Sequence, residues 1–173
     1  MSNFIINPYV FGEREPTGTA YSYTCADSVF DDFSRYSMYG IKNETGSTIE
    51  IKEVDWYFRK GTGTPTGTAT LKLMNDTSVV ETGSSPSVSG VTATSGTGDK
   101  ISFTFDDIVN WQNNYIVAVE YTAVPTGLKT MDDYTYTGGC TADTDFVAKY
   151  LDSGSWDTMT GTDSQTNASI PSY

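Results

Sequence analysis

The feature that most constrains this chain is a two-residue hydrophobic alternation that recurs from Thr48 to Tyr121. Ile101, Phe103 and Phe105 alternate with polar neighbours, as do Ala69, Leu71 and Leu73. Tyr115, Val117, Val119 and Tyr121 alternate with Ile116, Ala118 and Glu120. Successive side chains of a strand point to opposite faces, so this period belongs to half-buried sheet. The Tyr115 run is apolar on both parities at its start, which predicts a central strand. From Thr48 to Lys60, Ile49 and Ile51 share one parity while Val54, Trp56 and Phe58 share the other. A slip of one residue near Glu53 is what a β-bulge produces, and it places Trp56 in the core.

The remaining segments fit around that pattern. Thr19–Cys25 alternates and reads as an opening strand, and Arg35–Lys42 as a short one with Tyr36, Met38 and Gly40 on one face. Between them, Val29, Phe30, Phe33 and Tyr36 have the spacing of one or two helical turns over Ser28–Tyr36. Gly61–Gly67 is a loop by its Gly and Pro content, and Ser78–Glu81 is a strand returning from an Asn75-Asp76 turn. Gly83–Gly98 is loop, with at most one weak strand at Val88–Thr92. Asp106-Asp107 is expected to end the Ile101 strand. Phe146–Leu151 turns through Asp152-Ser-Gly154-Ser into a strand carrying Trp156. The sum is about eight strands spaced by turns, which predicts an all-β, antiparallel two-sheet sandwich of jelly-roll type over residues 19–173. No repeat recurs at a fixed period.

Residues 1–18 form a separate arm. Phe4, Ile5, Ile6, Tyr9, Val10 and Phe11 are apolar, but Pro8 and Pro16 oppose a helix or a central strand. Two roles suit such an arm: a strand packed on its own sandwich, or an anchor docking on another subunit. The first 12 residues carry no acidic or basic side chain. The acids lie mostly in the turns and strand ends that follow.

Charge excludes several function classes. The 173 residues hold 22 Asp+Glu, 10 Lys+Arg and no His, a net charge of −12. Such a chain lacks the clustered cations that phosphate backbones or anionic membrane surfaces require. Without His there is no Ser-His-Asp or Cys-His catalysis and no imidazole metal ligand. No stretch matches a secretory signal or a membrane span, which leads to the expectation of synthesis in a reducing cytoplasm. There, Cys25 and Cys140 are expected as two buried thiols rather than a disulfide, and no CxxC motif is present. N-x-[ST] sequons at Asn43, Asn75 and Asn167 carry little weight without secretion.

One ordered set of motifs is familiar. Ile51–Lys60 leads into Gly63-Thr-Pro-Thr-Gly67 and Thr68–Leu73; Ile101–Phe105, Asn114–Tyr121 and Tyr150–Trp156 follow. This order resembles the jelly-roll modules of phage virion proteins and bacterial surface proteins of the choice-of-anchor type. The resemblance spans roughly residues 48–158. It implies two antiparallel sheets and roles in virion structure, surface attachment or glycan contact, with no catalytic set to transfer. Residues 1–18 have no counterpart in the secreted modules, so a viral structural protein fits better than a bacterial surface one.

The remaining chemistry is sparse. Asp pairs occur at 31/32, 106/107, 132/133 and 143/145. Asp143 and Asp145 are the best candidates for a structural Ca²⁺, weighed against ordinary solvated turns. Opposed carboxylates about 5–10 Å apart would be needed for a glycosidase, and nothing specific supports them. Trp111, Tyr134, Tyr136 and Trp156 lie beside polar loop residues and are candidates for stacking on sugars. The expectation is therefore no enzyme and no required cofactor. It is a virion structural protein, made in the host cytoplasm, serving as a capsid decoration or a small tail or fibre component. Its partners would be other virion subunits, through residues 4–11, as a homo-oligomer or bound to a lattice. Nucleic acid and membrane are not expected partners. The alternative is a carbohydrate-binding module that attaches to a host glycan.

Overall fold

The computed structural model describes residues 14–24, 30–33, 36–131, 144–159 and 167–173. Twelve strands and no helix occur among them. They are β1 (Gly18–Tyr23), β2 (Phe30–Asp32), β3 (Met38–Asn43), β4 (Ile49–Lys60), β5 (Thr70–Asn75) and β6 (Ser78–Thr82). The later ones are β7 (Asp99–Trp111), β8 (Ile116–Glu120), β9 (Leu128–Met131), β10 (Phe146–Asp152), β11 (Ser155–Thr158) and β12 (Ala168–Ser172).

They form two antiparallel sheets, as the alternation requires. One runs β1-β12-β4-β9-β2 with β7 on the other edge of β4; the second runs β11-β10-β3-β8-β5-β6. Four pairings nest inside one another: β2 with β9, β3 with β8, β4 with β7 and β5 with β6. The chain thus behaves as one long hairpin whose limbs pair along their length, folded over so that β4 also meets β9 and β5 also meets β8.

The core lies between the sheets. Val54, Trp56, Phe58 and Phe103 from the first meet Tyr39, Ile41, Leu71, Leu73, Val117 and Val119 from the second, all at 2 % exposure or less. Trp56 is fully buried and its Nε1 donates to Thr130 Oγ1 at 3.0 Å, so the indole brings no unpaired donor into the core. β8 is central, flanked by β3 and β5, and four of its five residues are buried. Asn43 is also fully buried: its Nδ2 donates to Trp111 O and Ser47 O, and its Oδ1 accepts from Thr45 N. That amide staples the end of β3 to the end of β7, which is why this sequon asparagine is internal.

The slip near Glu53 is present. Ile51 opposes Val109 and Glu53 opposes Thr104, so β7 carries several extra residues between those pairs. Asp106-Asp107 falls in that bulge, and the acids leave the sheet locally without ending the strand, contrary to the sequence expectation. β7 continues to Trp111, which pairs with Ile49 and turns inward. The expected helical turns over 28–36 are also overturned among the described residues. Phe30 begins β2, opposite Met131, and Phe33 packs edge-on against Tyr39 and Tyr121. Long-range pairing outweighs the local period there. No strand forms at 88–92. Val88 and Val91 are instead buried from a loop, and Asp99 fastens it by accepting from Thr92 N at 2.7 Å and Ala93 N at 2.8 Å. Those backbone donors hold the Asp99 carboxyl below its ordinary value, so their contribution to stability is lost as pH falls through the carboxylate range.

Candidate functional site

The site begins with the outward parity of the second sheet. On β3 the inward residues are Tyr39 and Ile41, leaving Met38, Gly40 and Lys42 on the outer face; on β8 that face carries Ile116 and Ala118, and on β5 it carries Met74. Met38, Met74, Ile116 and Ala118 nevertheless form a buried cluster of their own, covered by Leu151 and Trp156. The cover comes from the β10–β11 hairpin. Its turn uses Ser153 and Gly154 at φ +49° and +89°, the left-handed pair that a tight hairpin needs. Trp156 Nε1 donates to Asp76 O at 2.8 Å, in the β5–β6 turn. A flat sheet would set β11 four strand spacings from β5, about 19 Å. The contact therefore requires the hairpin to fold back across the outer face.

Folding back leaves a cavity of about 280 Å³ lined by Lys42, Asn75, Asp76, Asn114, Ile116, Lys149 and Trp156. Lys42 pairs across β3–β10 with Val147, and Lys149 with Gly40, so the two lysines are diagonal neighbours on one face. Gly40 is needed there, because a Cβ at that position would stand 2.4 Å from Ile116 Cγ2. Lys42 Nζ contacts Glu44 Oε1 at 2.7 Å, and Lys149 Nζ donates to Thr158 Oγ1. Burial first, and the charge of Lys42 second, hold the Lys149 ammonium below the ordinary lysine value; Glu44 and Asp157 oppose that shift. A small apolar floor, an indole wall, two ammonium groups and two amides can together bind a polar ring.

Of the glycan, metal and partner-binding residues expected from sequence, Trp156 is the one that lines this cavity among the described residues. Trp111 is fully buried and donates Nε1 to Tyr115 O at 2.9 Å, which removes it from the sugar-stacking set. Tyr134, Tyr136, Cys25, Cys140 and the arm residues Phe4, Ile5, Ile6, Tyr9, Val10 and Phe11 lie outside the described residues. Asp143 does too, while Asp145 is exposed just ahead of β10. No group of three or more metal-ligating side chains occurs among the described residues. Nor is any helix among them long and apolar enough to cross a membrane. A second depression, of about 400 Å³ at the β7 bulge, joins Arg14 and Lys52 to Asp106, Asp107 and Ile108, with cations and anions mixed.

Sequence reasoning gave Lys42 and Lys149 no role, and it met Asn75 and Asn114 only as a sequon and turn residue and as the start of a strand motif. The one signal for the lysines was parity: each stands out of phase with the inward residues of a strand whose other face is core. No family model matches the chain, and neither a curated protein nor a solved structure matches it.

Proposed function

We propose that this chain is a non-catalytic structural module of a virus particle, a jelly roll held to neighbouring subunits by the uncharged first 12 residues of its arm and displaying the acidic sandwich outward. The observation that carries this reading is the nested pairing of β2 with β9, β3 with β8, β4 with β7 and β5 with β6. That order supports the jelly roll, an architecture that serves viral capsid and lectin domains. β1, β12 and the β10–β11 hairpin are additions to its eight strands. Fold alone does not assign function, so the arm carries the second part of the argument. With a net charge of −12, folded faces of two copies repel, whereas residues 1–12 bring apolar surface and no charge to a contact. The test is incorporation. Particles purified from producing cells should contain the full chain, and a variant lacking residues 1–11 should be absent from them although folded. Undiminished incorporation of the truncated chain would rule out the arm as anchor.

A second reading, attachment to a saccharide, is favoured by one observation: Trp156 stands at a cavity with Asn75, Asn114 and two lysines. A glycan array probed with the full chain and with Trp156→Ala tests it. Absence of binding by the unaltered chain removes this reading and leaves the first intact.

A further inference from the structure

The cavity under Trp156 has a chemistry more specific than sugar binding in general. A tryptophan has a single polar atom, Nε1. Here that atom is committed to Asp76 O, so the indole is fixed in orientation and can offer a ligand only its π surface. Ring faces of this kind suit the C–H side of a pyranose. Asn75 at the end of β5 and Asn114 on the β7–β8 connection supply amide donors and acceptors at the rim, and Asp76 supplies acceptors for hydroxyls.

The two lysines add a charge preference. The chain has 10 basic residues against 22 acidic ones, yet two of the 10 converge on one small cavity. Each ammonium has three donors. Among the described residues, Lys42 directs one to Glu44 and Lys149 one to Thr158. The two ammonium groups repel each other; Glu44 and Asp157 offset part of that repulsion, and an anion seated between the lysines relieves the rest. A volume of about 280 Å³ is at the small end of ligand sites and suits one sugar ring rather than an extended chain.

The geometry points to a binding site for a sugar bearing a carboxylate, a hexuronic acid unit, with the carboxylate between Lys42 and Lys149 and a ring face against Trp156. This inference rests on the saccharide reading above and deepens it. Lys149 must keep its proton to serve, so affinity falls with rising pH earlier than an ordinary lysine would dictate, with Lys42, Glu44, Asp76 and Asp157 as the charged groups around it.

The experiment is an NMR titration of the full chain, following the Trp156 indole N–H, with glucuronic acid, glucose and inorganic phosphate. Glucuronic acid should bind in the millimolar range and shift that signal, with glucose at least tenfold weaker. Lys42→Gln/Lys149→Gln should remove the tenfold preference while leaving the folded spectrum intact. Equal binding of glucose and glucuronic acid would overturn the acidic specificity and leave the saccharide reading standing. Phosphate binding as tightly as glucuronic acid would overturn it as well, by showing an anion site without sugar recognition. If neither sugar binds, and the glycan array is also blank, both readings fall together.

Discussion

Two hairpins border the second sheet, and the molecule treats them in opposite ways. β10–β11 folds back over the outer face, seats Leu151 and Trp156 on the Met38–Met74–Ile116–Ala118 cluster, and is pinned through Trp156 to Asp76. β5–β6 ends in β6, all five of whose residues are exposed, including Val79 and Val80 at about half of their full surface. Both hairpins return through tight turns with left-handed backbone, at Asp76 alone in one and at the pair Ser153–Gly154 in the other. Positive φ in the turn does not by itself decide which hairpin folds back. What separates them is side-chain reach. An indole can extend from a curled edge to a partner strand and still satisfy its N–H. Valines offer only a short apolar face and leave the free backbone edge of β6 to solvent.

The largest expected effect comes from removing that reach. Trp156→Ala takes away half-buried apolar area, uncovers the methionine cluster and loses the bond to Asp76, at a cost of about 2 kcal/mol. Urea unfolding monitored by circular dichroism measures it, and a change below about 0.5 kcal/mol would show that the hairpin cover is not stabilising. Next comes the turn itself. At φ +89°, Gly154 occupies backbone space that a Cβ disfavours, so Gly154→Ala should cost about 1 kcal/mol. Nothing lies within 4 Å of a Cβ built there, which makes this a clean measure of backbone strain. If Gly154→Ala also lowers protection of the Trp156 indole N–H from solvent exchange, turn and cover act as one unit.

Much of this contrast was legible in the sequence, but only strand by strand. The Asp152–Ser155 turn, the return strand with Trp156, the core position of Trp56 and the centrality of β8 all follow from parity and turn residues. The slip near Glu53 was legible too, because one residue out of phase reverses facing wherever it occurs. β2 and β9 were not, since strands this short hold their conformation through partners distant in sequence. β12 was hidden by Pro171, which argues against a strand until one sees that it sits where the register against β1 shifts. Trp111 and Trp156 show the limit most plainly. Both follow polar residues and precede others, and nothing local tells them apart. Ending β7 at Asp106-Asp107 detached Trp111 from the parity that would have marked it as internal. The cavity was illegible for a related reason: its residues run from Lys42 to Trp156 and meet only because a hairpin crosses the sheet. Taken singly, each of its lysines reads as an ordinary surface residue.

The smallest expected effect on stability lies on the open hairpin, where it separates two meanings of exposure. Val79 and Val80 are the large hydrophobic side chains left exposed among the described residues, on a strand paired only with β5. Val79→Lys should change unfolding free energy by less than about 0.5 kcal/mol, since little area is lost from the core. Its consequence should appear between molecules. A bare edge is a template for strand addition, and a lysine on it is a common natural deterrent. Replacing valine by lysine also moves the net charge from −12 to −11, which slightly weakens the general repulsion between copies. Edge pairing and bulk charge thus pull in opposite directions. Sedimentation of the unaltered chain and Val79→Lys at matched concentration tells which governs. Reduced association in the variant identifies β6 as a contact edge, and increased association means that net charge alone keeps copies of this sandwich apart.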